Sequence, residues 1–183
     1  MNQKDIIIVN DGAGAGLVAT GGARDDLSVG GFFTVVCRAP DGTIRWEEDI
    51  HNTVVTVGKN DLLDKYFRAS AYTAAFYVGL KAAGTVAATD TMSSHPGWTE
   101  ITSYSNATRP AYTAAAASAG STSNTASPAV FNINGTATVA GCFITTNNTV
   151  GGTAGTLFSA TDFGTSRSVI SGDTLTVTYT ISC

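Results

Sequence analysis

Charged residues are scarce in this sequence. Lys, Arg, Asp and Glu make up 13% of its 183 residues, whereas about 25% is ordinary for a globular domain. The 10 basic residues stand against 14 acidic ones, which gives a net charge of −4, and the basic residues form no run. Because affinity for a phosphate backbone comes mainly from Lys and Arg, the sequence predicts no nucleic-acid partner.

Long apolar runs and cysteine motifs are also missing. No stretch reaches the roughly 18 consecutive apolar residues of a membrane span, and the first residues lack the basic region and cleavage pattern of a secretion signal. We therefore expect a protein that is made in, and stays in, a cytoplasm and has no membrane partner. Cys37, Cys142 and Cys183 are scattered without CxxC spacing, which argues against a disulfide framework or a zinc site. They are interpreted as small buried hydrophobic residues, and the sequence predicts no cofactor.

Glycine and threonine are abundant instead. The chain holds 20 glycines and 28 threonines, and 43% of its residues are hydrophobic, a composition that favours β-structure. We predict an all-β fold, a β-sandwich of jelly-roll type with one short helix. Residues 1–31 are expected to form a flexible glycine-rich N-terminal arm, because that glycine density is costly to order. Residues 32–183 are expected to form the sandwich domain.

Several β-type runs separated by turn signals support this fold. Residues 32–38 and 43–50 flank the turn Ala39-Pro40-Asp41-Gly42 and predict a hairpin. Further strands are expected at residues 74–81, 128–134, 136–146, 156–160 and 173–183. The last of these alternates without a break. Its core face carries Leu175, Val177, Tyr179, Ile181 and Cys183, and its other face is a threonine ladder of Thr174, Thr176, Thr178 and Thr180 with Ser182.

The second hairpin strand and the helix carry specific packing predictions. Trp46 is expected to point inward, and Glu48 on the same face is either an edge-strand gatekeeper or a partner for Arg109 or Arg167. The helix is predicted at residues 61–68, with Asn60 as its N-cap and Asp61 at the positive end of its dipole. Its i, i+4 pairs are expected on the inner face; these are Leu62 with Tyr66 and Leu63 with Phe67.

Candidate catalytic and ligand sites are weak. The strand-like run before Gly12, Gly14 and Gly16 imitates a dinucleotide-binding loop, but Thr20-Gly21-Gly22 breaks the helix that must follow it. His51 and His95 lack a nucleophile elbow or a second histidine at a metal-ligand spacing, so they are interpreted as hydrogen-bonding residues. Neither an enzyme activity nor a metal site is predicted.

Two aromatic residues of the long segment 82–106 leave two interpretations open. Trp98 and Tyr104 form either a sugar-stacking platform, with Asp90 or Glu100 as an acidic partner, or a plug at one end of the sandwich. The plug is favoured, because large aromatic side chains usually supply core area.

A series of motifs follows in order along residues 32–181. It includes WEEDIHNTVVTVGKNDLLD at 46–64, YVGLK at 77–81, DTMSSHPGWTE at 90–100, RPA at 109–111, GTLFSATDF at 155–163 and GDTLTVTY at 172–179. In these motifs the sequence resembles a family of small virion proteins of tailed bacteriophages. The resemblance implies a non-enzymatic structural protein of the capsid cement or decoration type, located on the capsid surface of the virion.

The implied partners are the major capsid protein and further copies of this chain, as a dimer or trimer. We expect two contact sites. One is an apolar strand in the arm that adds to a neighbour's sheet edge, formed by Asp5, Ile6, Ile7, Ile8 and Val9. The other is the threonine ladder, which packs against another protein without burying charge, although a solvent-exposed threonine face is as common. The alternatives are a tail or fibre-attachment protein that exposes the Trp98 loop to a receptor, or a carbohydrate-binding module.

Overall fold

The computed structural model describes residues 28–72 and 75–183. The predicted arm strand, Asp5, Ile6, Ile7, Ile8 and Val9, lies outside these residues. Within them one helix, α1 (Thr56–Phe67), accompanies a series of strands. These are β1 (Gly30–Arg38), β2 (Ile44–His51), β3 (Thr53–Val54), β4 (Phe76–Lys81), β5 (Glu100–Ile101), β6 (Ala111–Tyr112), β7 (Ser121–Ser123), β8 (Ala129–Asn132), β9 (Ala137–Val139), β10 (Gly141–Thr145), β11 (Leu157–Ala160), β12 (Arg167–Val169) and β13 (Thr174–Ser182).

The described strands form two main sheets. Sheet A has the order β2-β1-β13-β7, with β8 also paired to β13, and sheet B has the order β3-β11-β10-β4-β5, with β6 also paired to β4. Strands β9 and β12 form a separate pair. The predicted all-β sandwich with one helix is confirmed. Its first and last described strands pair side by side, and the sheets, of five and six strands, exceed the eight strands of a simple jelly roll.

The core lies between the inner faces of the two sheets. Alternate residues of β1 and β13 point into it, as the period of two along a strand requires. Sheet A contributes Phe33, Val35, Cys37, Leu175, Val177 and Tyr179, and sheet B contributes Val78, Leu80, Cys142 and Ile144. Each fully buried side chain of this size contributes about 1.5–3 kcal/mol, so this layer is the main source of stability.

Sheet B is buried on its outer side as well. A second apolar cluster packs there, formed by Val55, Met92, Trp98, Phe143, Leu157 and Ala160. Every residue of β10 and β11 is consequently buried, which explains their nearly continuous apolar sequences. The outer face of sheet A has no such second cluster among the described residues, and its outward side chains remain partly accessible.

The predicted hairpin is confirmed. Gly42 takes a positive φ of +86° in the turn, and β1 and β2 pair from Phe32 and His51 to Arg38 and Ile44. The predicted strand at residues 136–146 is wrong as a single element, because it divides into β9 and β10, which belong to different sheets. The first described strand begins at Gly30, two residues before the predicted start of the sandwich.

The inward face of β2 behaves largely as predicted. Trp46 is half-buried against the core, and its indole Nε1 donates a hydrogen bond of 3.2 Å to the carbonyl of Ser168. The carboxylate of Glu48 pairs with the guanidinium of Arg167, which decides between the two arginines considered from the sequence. A charge on an inward strand face is thereby compensated.

The helix prediction needs two corrections. Helix α1 begins at Thr56 after the N-cap Val55, so Asn60 lies inside the helix. The four apolar residues expected on the inner face are exposed instead: Leu62, Leu63, Tyr66 and Phe67. The buried helix residue is Gly58, whose missing side chain lets α1 approach the backbone of Phe158. This contact, together with the buried Val55 just before the helix, fixes the rotation of α1 and turns the apolar residues outward.

Candidate interaction surfaces

The threonine ladder lies on the outer face of sheet A. Thr174, Thr176, Thr178 and Thr180 are each half-buried, while the residues between them fill the core. The predicted separation of the two faces of β13 is therefore present up to Tyr179. At the end of the strand the core face fails, because Ile181 is only half-buried and Cys183 is exposed.

The neighbours of the ladder are mostly uncharged. In register across β1, Thr176 lies beside Val36, Thr178 beside Thr34 and Thr180 beside Phe32. On the other side, Val130 of β8 lies beside Thr176. We call these outward residues of β1, β8 and β13 the ladder face. Its centre can lose water on contact with another protein at little electrostatic cost, because no charged group there would have to be desolvated.

Charge lies at the margins of the ladder face, where the exposed Arg38 at the end of β1 lies beside Thr174. The edge strand β2 presents Glu47 and Asp49, and the hydroxyl of Thr34 donates a hydrogen bond of 2.6 Å to the Asp49 carboxylate. The aromatic edge of Phe32 meets the ring of His51 with centroids 5.2 Å apart. An uncharged centre with a polar and charged rim is the common anatomy of a protein–protein interface.

A second surface lies on the outward side of helix α1. We call Leu62, Leu63, Tyr66 and Phe67 the α1 patch; their exposed fractions are 41%, 50%, 81% and 73%. Lys65 and Asp61 lie nearer the body, 3.5 Å apart with side chains 27% and 19% exposed, while Lys59 and Asp64 are more accessible. An apolar face turned outward is the reverse of the usual amphipathic helix of a globular protein. The sequence signal, two apolar i, i+4 pairs, was visible, but its assignment to the inner face was wrong.

A groove of about 380 Å³ runs beside the α1 patch. Leu62 and Tyr66 form one wall, and most of the other walls are apolar, from Tyr72, Phe76, Phe158 and Ile181. Val29, close to where the described chain begins, also lines it. The groove and the patch together form a continuous apolar surface of the kind that marks interaction sites on monomers.

The aromatic residues considered as a sugar platform are buried. Trp98 is 3% exposed, its Nε1 donates a hydrogen bond of 2.8 Å to Asp90, and His95 stacks on its ring with centroids 4.0 Å apart. Tyr104 is buried as well. Burial of both rings supports the expected role in packing, although Trp98 packs in the cluster on the outer side of sheet B and Tyr104 in the main core. The Trp98 loop therefore offers no stacking platform to a sugar and no exposed tryptophan to a receptor.

Glu100, the other acidic residue considered as a partner for a sugar, is part of a buried ion pair. Arg109, 1% exposed, donates two hydrogen bonds to the Glu100 carboxylate, at 2.8 and 2.7 Å. It donates two more, each of 2.8 Å, to the carbonyls of Asn147 and Gly152. The backbone N–H of Gly151 donates to Glu100 at 2.8 Å. This cluster holds three chain segments together and leaves no free carboxylate for acid–base chemistry.

Two histidines and the described carboxylates form no metal site. Within residues 28–72 and 75–183, no three His, Cys, Asp or Glu side chains are grouped as metal binding would require. The Nδ1 of His95 lies 2.9 Å from the carbonyl of Trp98, which agrees with its interpretation as a hydrogen-bonding residue. In the same part of the chain, no helix has the length and apolarity to cross a membrane.

No family model, curated protein or solved structure matches the chain. The interaction surfaces therefore have to be interpreted from their own geometry and from the motifs of the sequence.

The three cysteines differ sharply in reactivity, which gives a first testable prediction. Burial, with the negative charge of Asp173 3.8 Å from the sulfur, raises the pKa of the Cys37 thiol to about 11. Burial also raises the pKa of the Cys142 thiol, whereas Cys183 is exposed, contrary to its predicted burial. Because the thiolate is the reactive form, we expect a thiol reagent at about pH 8 to modify Cys183 alone. Mass spectrometry checks this, with urea-denatured protein as the control in which all three react; rapid native labelling of Cys37 would contradict it.

Proposed function

We propose that this chain is a structural protein of a tailed-bacteriophage particle, a cement protein that binds the outside of the capsid and bridges neighbouring major capsid subunits. The motifs at residues 46–64 and 155–163, which resemble phage virion proteins, support the class of particle. The observation that carries the binding mode is the ladder face, a partly accessible sheet surface with an uncharged centre, backed by a fully packed core. A rigid surface loses little conformational freedom when it docks.

The proposed mechanism is the addition of many modest contacts. Each copy contributes a small neutral interface through Thr174, Thr176, Thr178 and Thr180. The arm strand, Asp5, Ile6, Ile7, Ile8 and Val9, is proposed to add a second contact at a neighbour's sheet edge. Because both contacts belong to one chain, the second forms at a high effective concentration once the first is made. The shell is thereby held against the pressure of the packaged genome.

Localisation on the particle tests this proposal. Cryo-electron microscopy of phage particles that carry the gene should show density of the size of this chain at symmetric positions over the shell. Density confined to the tail or to a single vertex would contradict the cement role. Its absence from purified particles, checked by mass spectrometry, would contradict a virion role altogether.

Lysines on the ladder face should weaken capsid binding. In the double variant Thr176→Lys, Thr178→Lys, two ammonium groups would have to be desolvated at the contact, and we expect affinity for capsids to fall at least about tenfold. Both side chains start from the outer face, so the core stays intact. The measurement is co-sedimentation with capsids that lack the protein.

The matched control is Thr165→Lys, which changes an exposed threonine in the segment between β11 and β12. It should bind like the unmodified chain. Equal binding by the ladder variant and this control, with unchanged thermal unfolding in both, would show that the ladder face is not the contact.

A further inference from the structure

The α1 patch is an exposed apolar surface that the proposed capsid contact does not use. We propose that it binds the α1 patch of a second copy of this chain, so that two copies pair around a two-fold axis through their α1 helices. This inference goes beyond the proposed function, because such a dimer forms in the isolated protein without a capsid. It assigns a role to the one helix of the described chain, which the ladder face does not use.

The exposed area fits a dimer interface. An aromatic side chain presents about 150–250 Å², so at 81% and 73% exposure Tyr66 and Phe67 together offer roughly 300 Å². Leu62, Leu63 and the 55% exposed Tyr72 enlarge this area toward the roughly 800 Å² that each partner buries in a standard interface. Aromatic residues at the centre of a patch are also the usual hot spots of binding.

The patch is complementary to itself. A two-fold interface requires that a protrusion and the cavity that accepts it occur on the same surface. Here the exposed ring of Phe67 packs against the ring of Tyr66, with centroids 5.0 Å apart, and Tyr66 lines the groove of about 380 Å³. If two α1 helices pair antiparallel with the axis between Asp64 and Lys65, Leu62 lies opposite Phe67 of the second copy. Leu63 then lies opposite Tyr66. Every member of the patch thus meets an apolar or aromatic residue.

The charges of the helix do not oppose this contact. Lys65 approaches Asp61 at 3.5 Å and Arg68 approaches Asp64 at 3.0 Å, so two i, i+4 pairs are neutralised within each helix. Dimer formation consequently buries no unpaired charge from these four residues. Lys59, exposed beside Leu62 and Leu63, is the one further charged residue of α1, so this surface carries a single net positive charge. That small charge gives a strongly charged macromolecule little electrostatic advantage over a second copy.

The experiment is sedimentation equilibrium of the full chain over a concentration series. The unmodified protein should be a dimer at micromolar concentration, and the double variant Tyr66→Ser, Phe67→Ser should dissociate at least about 100-fold more readily. Ile44→Ser is the matched control: it removes an equally exposed apolar side chain, 52% accessible, from the β1–β2 hairpin, and should leave the dimer intact. A monomeric unmodified chain, a trimer, or a dimer that survives the double substitution would overturn the proposal.

A further variant tests whether the N-terminal segment of the chain, rather than a second copy, occupies the groove. Val29 lines the groove, so the segment that precedes it in the sequence is the competing occupant to test. In the full-length variant Ile7→Asp, Ile8→Asp, pairing through α1 predicts an unchanged dimer. Dissociation of that variant would instead assign the contact to the N-terminal segment and overturn the proposal. This result is independent of the capsid experiment. A dimer that does not bind particles would refute only the cement role. A monomer that binds capsids would refute only the dimer.

Discussion

Replacing Arg109 by methionine is expected to lower the free energy of unfolding by about 3–5 kcal/mol, the usual cost of removing one partner of a buried ion pair. The Glu100 side chain is 8% exposed and would keep only the weaker donors around it. The carbonyls of Asn147 and Gly152 would lose their hydrogen bonds as well. Urea unfolding followed by fluorescence measures the loss.

The control is an exposed ion pair of the same chemistry. Arg68, whose side chain is 75% exposed, pairs with Asp64 at 3.0 Å, and such surface pairs contribute about 0–1 kcal/mol. Arg68→Met should therefore leave stability nearly unchanged. A loss below about 1 kcal/mol for Arg109→Met, or similar losses for both variants, would show that the buried cluster does not stabilise the sandwich.

A double-mutant cycle isolates the pair itself. Glu100→Gln alone leaves the Arg109 guanidinium without its counter-charge, whereas Glu100→Gln combined with Arg109→Met removes both charges from the interior. We expect the double variant to be less destabilised than the sum of the single variants, because residues in one network are coupled by 0.5–3 kcal/mol, an approximate range. Strict additivity would mean that Arg109 acts only through its two carbonyl acceptors.

The sequence predicted those elements in which one physical signal dominates. In β13 the unbroken alternation from Leu175 to Tyr179 sets the core face, because a slip of one residue would reverse every side chain. The β1–β2 hairpin was equally clear, since Gly42 supplies the positive φ that its turn needs. Alternation does not indicate where a strand ends, and extending it to Cys183 therefore gave a wrong prediction of burial.

Ion pairs between different segments of the chain could be predicted from the sequence only in part. The inward position of Glu48 on β2 indicated that it needs a cation, but the sequence could not choose between Arg109 and Arg167, which belong to distant segments. The partner of Arg109 proved to be Glu100, nine residues earlier in the chain. Such a pair depends on how irregular segments meet in space, and neither residue lies in a periodic pattern that would reveal it.

Of the two candidate surfaces, the sequence predicted one and missed the other. The ladder face followed directly from the sequence, because its threonines alternate with core residues of β13. The α1 patch was missed for a physical reason: apolar i, i+4 pairs normally face the core, and a glycine that permits close approach carries no hydrophobic signal. The rotation of α1 thus depends on Gly58 and on the backbone of Phe158.

A substitution at Gly58 is expected to have the second large effect on stability. A Cβ atom at Gly58 would lie 2.2 Å from the carbonyl oxygen of Phe158, which is backbone of the buried strand β11 and cannot move aside without disturbing sheet B. Gly58→Ala should therefore cost about 2–3 kcal/mol of unfolding free energy, as overpacking typically does. The sign of the change in unfolding free energy is informative, because the same Gly→Ala substitution inside an ordinary helix stabilises by about 0.5–1 kcal/mol.

Gly164→Ala is the control, since a Cβ at that exposed glycine meets nothing within 4 Å and should leave stability unchanged or slightly higher. Because α1 must also move away from β11, we expect Gly58→Ala to weaken the α1-mediated dimer in sedimentation while Gly164→Ala does not. A stabilising effect of Gly58→Ala in thermal unfolding would mean that α1 does not rest on β11. The outward orientation of Leu63 and Phe67 would then lose its structural cause, and with it the physical reason for placing the dimer contact on this helix.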